Sequence, residues 1–192
     1  MTRRAVAAEA YREGLPALAA SLVGGLLAGV VLSGMRVELR TIDGLLVLVP
    51  ALLATRGNVY GSLGARLATA LHQGLLVPHV READDRLLRA VAASIANGLF
   101  ASVFAAVVAT LALATLGRPS AGLLAFVAIA VVAGLLSGIA LATTVVLVVF
   151  AGYRRGYNPD TLVGPIVTTA GDVFGIAALL LAVRSVIVFG VG

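Results

Sequence analysis

Five long apolar runs leave this 192-residue chain few folds to choose from. They cover residues 15–35, 44–72, 88–116, 121–152 and 162–183. A helix rises 1.5 Å per residue, so about 20 apolar residues cross the hydrocarbon core of a bilayer. The expected fold class is therefore all-α, a polytopic integral membrane protein with five transmembrane helices. Composition agrees: 60% of residues are hydrophobic and only 12% charged, against about 45–50% and about 25% in soluble domains. The connectors are short, and no sizeable soluble domain fits beside the spans. The first run is too long for a signal-peptide core and lacks a clear cleavage pattern, so it reads as a span. The expected organisation is a short polar cytoplasmic segment over residues 1–14 and one five-helix domain over residues 15–192.

The net charge of +5 comes from arginine, since the chain has no lysine. The arginines are scattered among connectors, which suits topology signals and not a phosphate-binding face, so nucleic acid is excluded as a partner. Arg3, Arg4, Arg12, Arg81, Arg86, Arg89, Arg154 and Arg155 fall on one side, and Arg36, Arg40, Arg118 and Arg184 on the other. The positive-inside rule then sets the N-terminus in the cytoplasm and the C-terminus outside a cell membrane. Tyr11, Tyr153 and Tyr157 lie near span ends, as interface anchors do. Absence of cysteine excludes disulfides, thiolate metal sites and cysteine nucleophiles. The second and fourth runs are longer than the hydrocarbon requires, so they tilt, project or break. Pro50, followed by Arg56, Gly57 and Asn58, gives the second a reason to break. Gly134 and Gly138 permit a kink or close packing in the fourth.

Function in such a chain resides in residues that lipid does not tolerate. Three charges fall inside the runs: Arg56, Arg66 and Asp172. A charge at mid-bilayer costs about 2.5–3.5 kcal/mol on insertion scales. Arg66 is placed to snorkel towards the cytoplasmic interface. Asp172, with one methylene, cannot snorkel. Gly164, Thr168, Gly171, Asp172 and Gly175 recur at three- and four-residue spacing and form one small, polar helix face. Such a face suits close helix packing or a water-filled path. In the second run Gly57, Gly61 and Gly64 share a face, with Asn58, Ser62 and Thr69 nearby. Asn58 beside a glycine offers hard oxygen ligands. Asn97, Ser137, Thr143 and Thr144 are supporting candidates, with interhelical hydrogen bonds as the plainer reading. His72 and His79, around Pro78, make a poor metal constellation. Serine-hydrolase, zinc-protease and P-loop signatures are missing, so the chain is not expected to be an enzyme.

Two blocks together carry a family resemblance. The first runs Pro50-Ala51-Leu52-Leu53-Ala54-Thr55-Arg56-Gly57-Asn58 and continues to Gly64-Ala65-Arg66-Leu67-Ala68-Thr69-Ala70. The second is Asn158-Pro159-Asp160, then Gly164-Pro165-Ile166-Val167-Thr168-Thr169-Ala170-Gly171-Asp172-Val173-Phe174-Gly175. They resemble the membrane domain of MgtE-type magnesium transporters and their eukaryotic solute-carrier relatives, in a short form without the cytoplasmic sensor region. The Arg-Gly-Asn step resembles the solute-carrier and small prokaryotic branch more than bacterial MgtE.

The resemblance implies a homodimer with a central ion path lined by the second and fifth spans. It implies Asp172 as the main metal site, with Gly57, Asn58, Thr168 and Thr169 in support. Gly61, Gly164, Gly175, Arg56 and Asn97 are assigned pore-lining or supporting places on the residue pattern. The cargo expected is Mg²⁺, with Mn²⁺ or Co²⁺ as other ions the same donors accept; no resident cofactor is expected. Two readings compete: a proton- or sodium-coupled transporter of another substrate, with Asp172 as a relay, and a non-transporting membrane subunit in which Asp172 and the glycines serve assembly.

Overall fold

A computed structural model describes residues 3–78, 84–156 and 159–190. In these residues the chain forms six helices: α1 (Arg3–Gly34), α2 (Arg36–Thr41), α3 (Leu45–His72), α4 (Asp85–Thr115), α5 (Leu123–Arg154) and α6 (Pro159–Phe189). The protein is an all-α polytopic membrane protein, as the apolar runs require. Helices α3, α4, α5 and α6 are each long and apolar enough to cross a bilayer, and α1 contributes a shorter apolar stretch, Leu18–Gly34. The five runs thus fall on α1, α3, α4, α5 and α6, and the connector after the first folds as the short α2.

Helix α5 packs against α3, α4 and α6, while α1 lies on α6. The reason is in its side chains. Ala130, Ala133, Gly134, Ser137, Gly138 and Ala142 are all buried on α5, and small residues let neighbouring backbones approach. A Cβ added to Gly134 would lie 2.9 Å from Ser102 Oγ on α4, and one on Gly138 would collide with the Tyr60 hydroxyl on α3. The glycines of the fourth run therefore serve close packing, and α5 runs unbroken through them. Bulky residues fill the space beyond: Leu48, Leu52, Phe126, Ile129 and Val183 in one cluster, and Leu63, Leu67, Leu141, Val145 and Val167 in another.

The second run does not break. Helix α3 is continuous over Leu45–His72 with Pro50 inside it. Pro50 is the sixth helical residue, so its missing N–H forfeits one bond near the helix start, on an exposed face. The hydroxyls of α5 also depart from expectation. Ser137 donates to Ala133 O at 2.6 Å, Thr143 to Ile139 O at 2.8 Å and Thr144 to Ala140 O at 2.8 Å. Each bonds back within its own helix, because the carbonyl four residues earlier is the nearest acceptor where water is scarce.

Helix ends are tied across the bundle. Asp84 caps α4, accepting from Arg86 N at 3.2 Å. Tyr153 donates to Leu71 O at 3.3 Å and meets the His72 ring edge-on at 5.6 Å, which joins the last turns of α3 and α5. His72 Nδ1 lies 2.8 Å from Ala68 O, and His79 lies outside the described residues. On α2, Glu38 is buried and accepts from Arg184 Nε of α6 at 2.8 Å. That hydrogen bond, with Glu38's own backbone in support, holds its carboxyl below the usual carboxylate range.

Candidate functional site

The two blocks singled out in the sequence lie on α3 and, from Pro159 onward, on α6, which pack antiparallel; Asn158 lies outside the described residues. A Cβ on Gly64 of α3 would strike Val163 near the start of α6. Towards the other end, one on Gly175 would lie 2.6 Å from Leu53 and 2.7 Å from Arg56 Nη1. Glycine at both contacts draws the backbones together. Between them opens a cleft of about 220 Å³, lined by Leu53, Ala54 and Gly57 from α3 and by Thr168, Gly171 and Asp172 from α6. Asp172 is half-buried there. Among the described residues the ion pairs are Arg89–Asp85 and Arg184–Glu38, and Asp172 has no cationic partner there.

The structure brings Asp172, Gly57 and Thr168 to one cleft and distributes the other candidates around it. Thr168 Oγ1 donates to Gly164 O at 2.9 Å and Thr169 Oγ1 to Pro165 O at 2.8 Å. The Thr169 methyl turns the other way and fills the notch at Gly24 of α1. Asn58 follows Gly57 but is exposed, outside the cleft lining. Gly61 and Gly164 have open space where a side chain would stand. Asn97 is exposed on α4, a helix that packs on α3 and α5.

The outward side of α3 is unusual for a lipid-facing surface. Ala54, Asn58, Ser62, Ala65, Arg66 and Thr69 are all exposed and recur at helical spacing. The strip leads from the Asp172 cleft to a second groove, of about 300 Å³, lined by Ala65, Arg66, Thr69, Ala70 and Gln73. By contrast, the exposed residues of α1 include Leu18, Leu22, Leu26 and Val30, which suit lipid.

Arg56 lies on the opposite side of α3. It is only 3% exposed, and Nε, Nη1 and Nη2 have no hydrogen-bond partner among the described residues. Tyr60, one turn on, is equally buried, and its hydroxyl is likewise unpartnered in a notch formed by Gly98 and Gly138. The sequence reading did not single out Tyr60. Its signal was available, because Leu48, Leu52, Arg56, Tyr60, Leu63 and Leu67 form one buried stripe at three- and four-residue spacing.

Among the described residues no three His, Cys, Asp or Glu side chains cluster as a metal site. Among the described residues the cleft thus presents one carboxylate, that of Asp172, with Thr168 beside it in the lining. That set suits an ion that keeps most of its water, and Mg²⁺ binds in this manner, through one or two carboxylates.

Comparison with known proteins adds an independent line. A family model described as MgtE, a divalent cation transporter, matches residues 49–182. Solute carrier family 41 member 2 of Xenopus laevis is 32% identical over 139 residues, covering 69% of this chain and 24% of that protein. Solute carrier family 41 member 3 of Rattus norvegicus is 27% identical over 150 residues, covering 74% and 31%. Member 2 of Gallus gallus is 30% identical over 173 residues, covering 82% and 29%. The chain thus spans between about a quarter and a third of the length of these relatives. No solved structure matches it significantly.

Proposed function

The chain belongs to the MgtE family of divalent cation transporters, and we propose that it carries a largely hydrated divalent cation, Mg²⁺ foremost, along the polar strip of α3 past Asp172. The observation that carries this reading is the strip itself. Asn58, Ser62, Arg66 and Thr69 are exposed at spacing that puts them on one side of a membrane-spanning helix. Lipid offers such groups no hydrogen bonds, so protein or water must cover them. A second copy related by a two-fold axis supplies both: it shields the strip from lipid and encloses water between the two α3–α6 pairs.

Each protomer then contributes half of the ion site. Two copies of Asp172 provide two carboxylates, and Thr168, Gly57 and Asn58 present oxygens to the ion's water shell. So few direct ligands keep binding weak enough for release, which conduction requires. The positive-inside balance sets Arg66 and Gln73 at the cytoplasmic mouth. Mn²⁺ and Co²⁺ satisfy the same oxygen donors and compete for the site.

The test is ion-dependent thermal stabilisation and Mg²⁺ flux in proteoliposomes, for the unaltered protein and for Asp172→Ala and Asp172→Asn. Both substitutions are expected to abolish stabilisation and flux and to leave a folded dimer. Undiminished flux in either variant would remove Asp172 from the path.

A further inference from the structure

Arg56 remains unused by this reading, and it is the buried charge hardest to explain. Guanidinium stays charged in proteins and carries five donors. Leaving it buried with no counter-charge among the described residues is costly, which makes a role that needs the charge the better account. Its position narrows the role. Gly64 meets Val163, and Gly57 shares a cleft with Gly171 and Asp172 in the antiparallel α3–α6 pair. That register sets the Arg56 backbone at the depth of Asp172. Leu53, one turn before Arg56, and Gly57, directly after it, both line the Asp172 cleft. The guanidinium itself is turned aside, into space that exists because residue 175 has no side chain.

We propose that Arg56 is a tethered cation that competes with the transported ion for Asp172, and that Gly175 forms the notch in which its guanidinium is held while the ion occupies the carboxylate. The proposal rests on Asp172 being the ion site. Without a divalent ion, the long flexible side chain leaves the notch and pairs with Asp172, so neither charge stays unpaired in the membrane. An arriving ion displaces it, and its return promotes release. Arg56 thereby sets the affinity and the ease of release at the site. A pairing populated ten to one over the free carboxylate lowers the apparent ion affinity about tenfold.

Two substitutions on different helices should move binding in opposite directions. Arg56→Gln removes the competitor and is expected to lower the half-saturating MgCl₂ concentration about tenfold, read as thermal stabilisation of the purified full chain. Arg56→Lys keeps a charge on a flexible stem and should stay within about threefold of the unaltered protein. Gly175→Ala fills the notch, drives the guanidinium towards Asp172 and should raise the half-saturating concentration. The ion-free melting temperature serves as the folding control: each variant should keep one cooperative transition, and Arg56→Gln, which takes away the partner of Asp172 in the ion-free state, should lower it. If Arg56→Gln leaves Mg²⁺ binding unchanged or weaker while binding still depends on Asp172, the competitor role is overturned and the ion site stands. If stabilisation of the unaltered protein survives Asp172→Ala, the ion site falls and the competitor role falls with it.

Discussion

The contact between Tyr60 and α5 can be taken apart by a double-mutant cycle. A Cβ placed on Gly138 collides with the Tyr60 hydroxyl, but its next nearest neighbour, Tyr60 Cζ, is 3.5 Å away, an ordinary contact. The whole clash therefore resides in one oxygen atom. Forcing extra volume into a packed core costs about 1–3 kcal/mol, and Gly→Ala in a helix returns about 1 kcal/mol. Gly138→Ala alone is thus expected to destabilise by up to about 2 kcal/mol. Tyr60→Phe alone removes a buried hydroxyl with no partner, which is neutral or stabilising by about 1 kcal/mol. In the double variant the clash is gone and the helix-propensity gain remains, so it should be at least as stable as Tyr60→Phe. The interaction energy of the cycle is expected to be about 1–3 kcal/mol. Denaturant or thermal unfolding of the purified protein in one detergent reads all four corners. Additivity within about 0.5 kcal/mol would show that the hydroxyl does not sit against Gly138.

Further outcomes follow from other contacts. The carboxyl of Glu38 is held below its ordinary value by Arg184, so its contribution to stability is present above the unfolded carboxylate range and is lost as pH falls through the lowered folded value. Glu38→Gln should flatten the acid side of a melting-temperature profile, and an unchanged profile would refute the assignment. Because the chain has no cysteine, single cysteines report water access directly: Ser62→Cys and Ala65→Cys should react with a membrane-impermeant maleimide, and Leu22→Cys should not. Equal labelling of all three would refute a water-lined strip on α3. Gly64→Val should weaken the α3–α6 contact, because an added Cβ already strikes Val163; a loss of about 1–3 kcal/mol is expected in unfolding experiments.

The fold was legible where one physical constraint dominates. Lipid requires helices of a set length, so the runs located α1, α3, α4, α5 and α6 without knowledge of any contact. What depended on partners was not legible. Arg184 reads as a terminal loop charge, yet it bonds Glu38 at a separation of 146 residues, and no local pattern announces that pairing. Pro50 reads as a breaker, yet its place in the second turn of α3 makes its missing bond a minor loss. The α5 hydroxyls read as links between helices, yet each has an acceptor nearer at hand in its own helix.

The candidate site divides along the same line. Spacing alone put Thr168, Gly171 and Asp172 on one face, and they do line one cleft with Gly57. Adjacent residues on a helix point about 100° apart, and of Thr168 and Thr169 it is Thr168 that lines the cleft. Which of them does depends on where α1 packs, and Gly24 against Thr169 decides it. The same geometry separates Arg56 from Asn58. Two residues apart, they point about 200° apart, so one α3 helix carries a fixed positive charge on its dry side and an amide on its exposed side. An arginine beside a cation path looks contradictory when read along the sequence. In three dimensions the guanidinium is turned away from the Asp172 cleft, at the depth of that carboxylate, into the space left at Gly175.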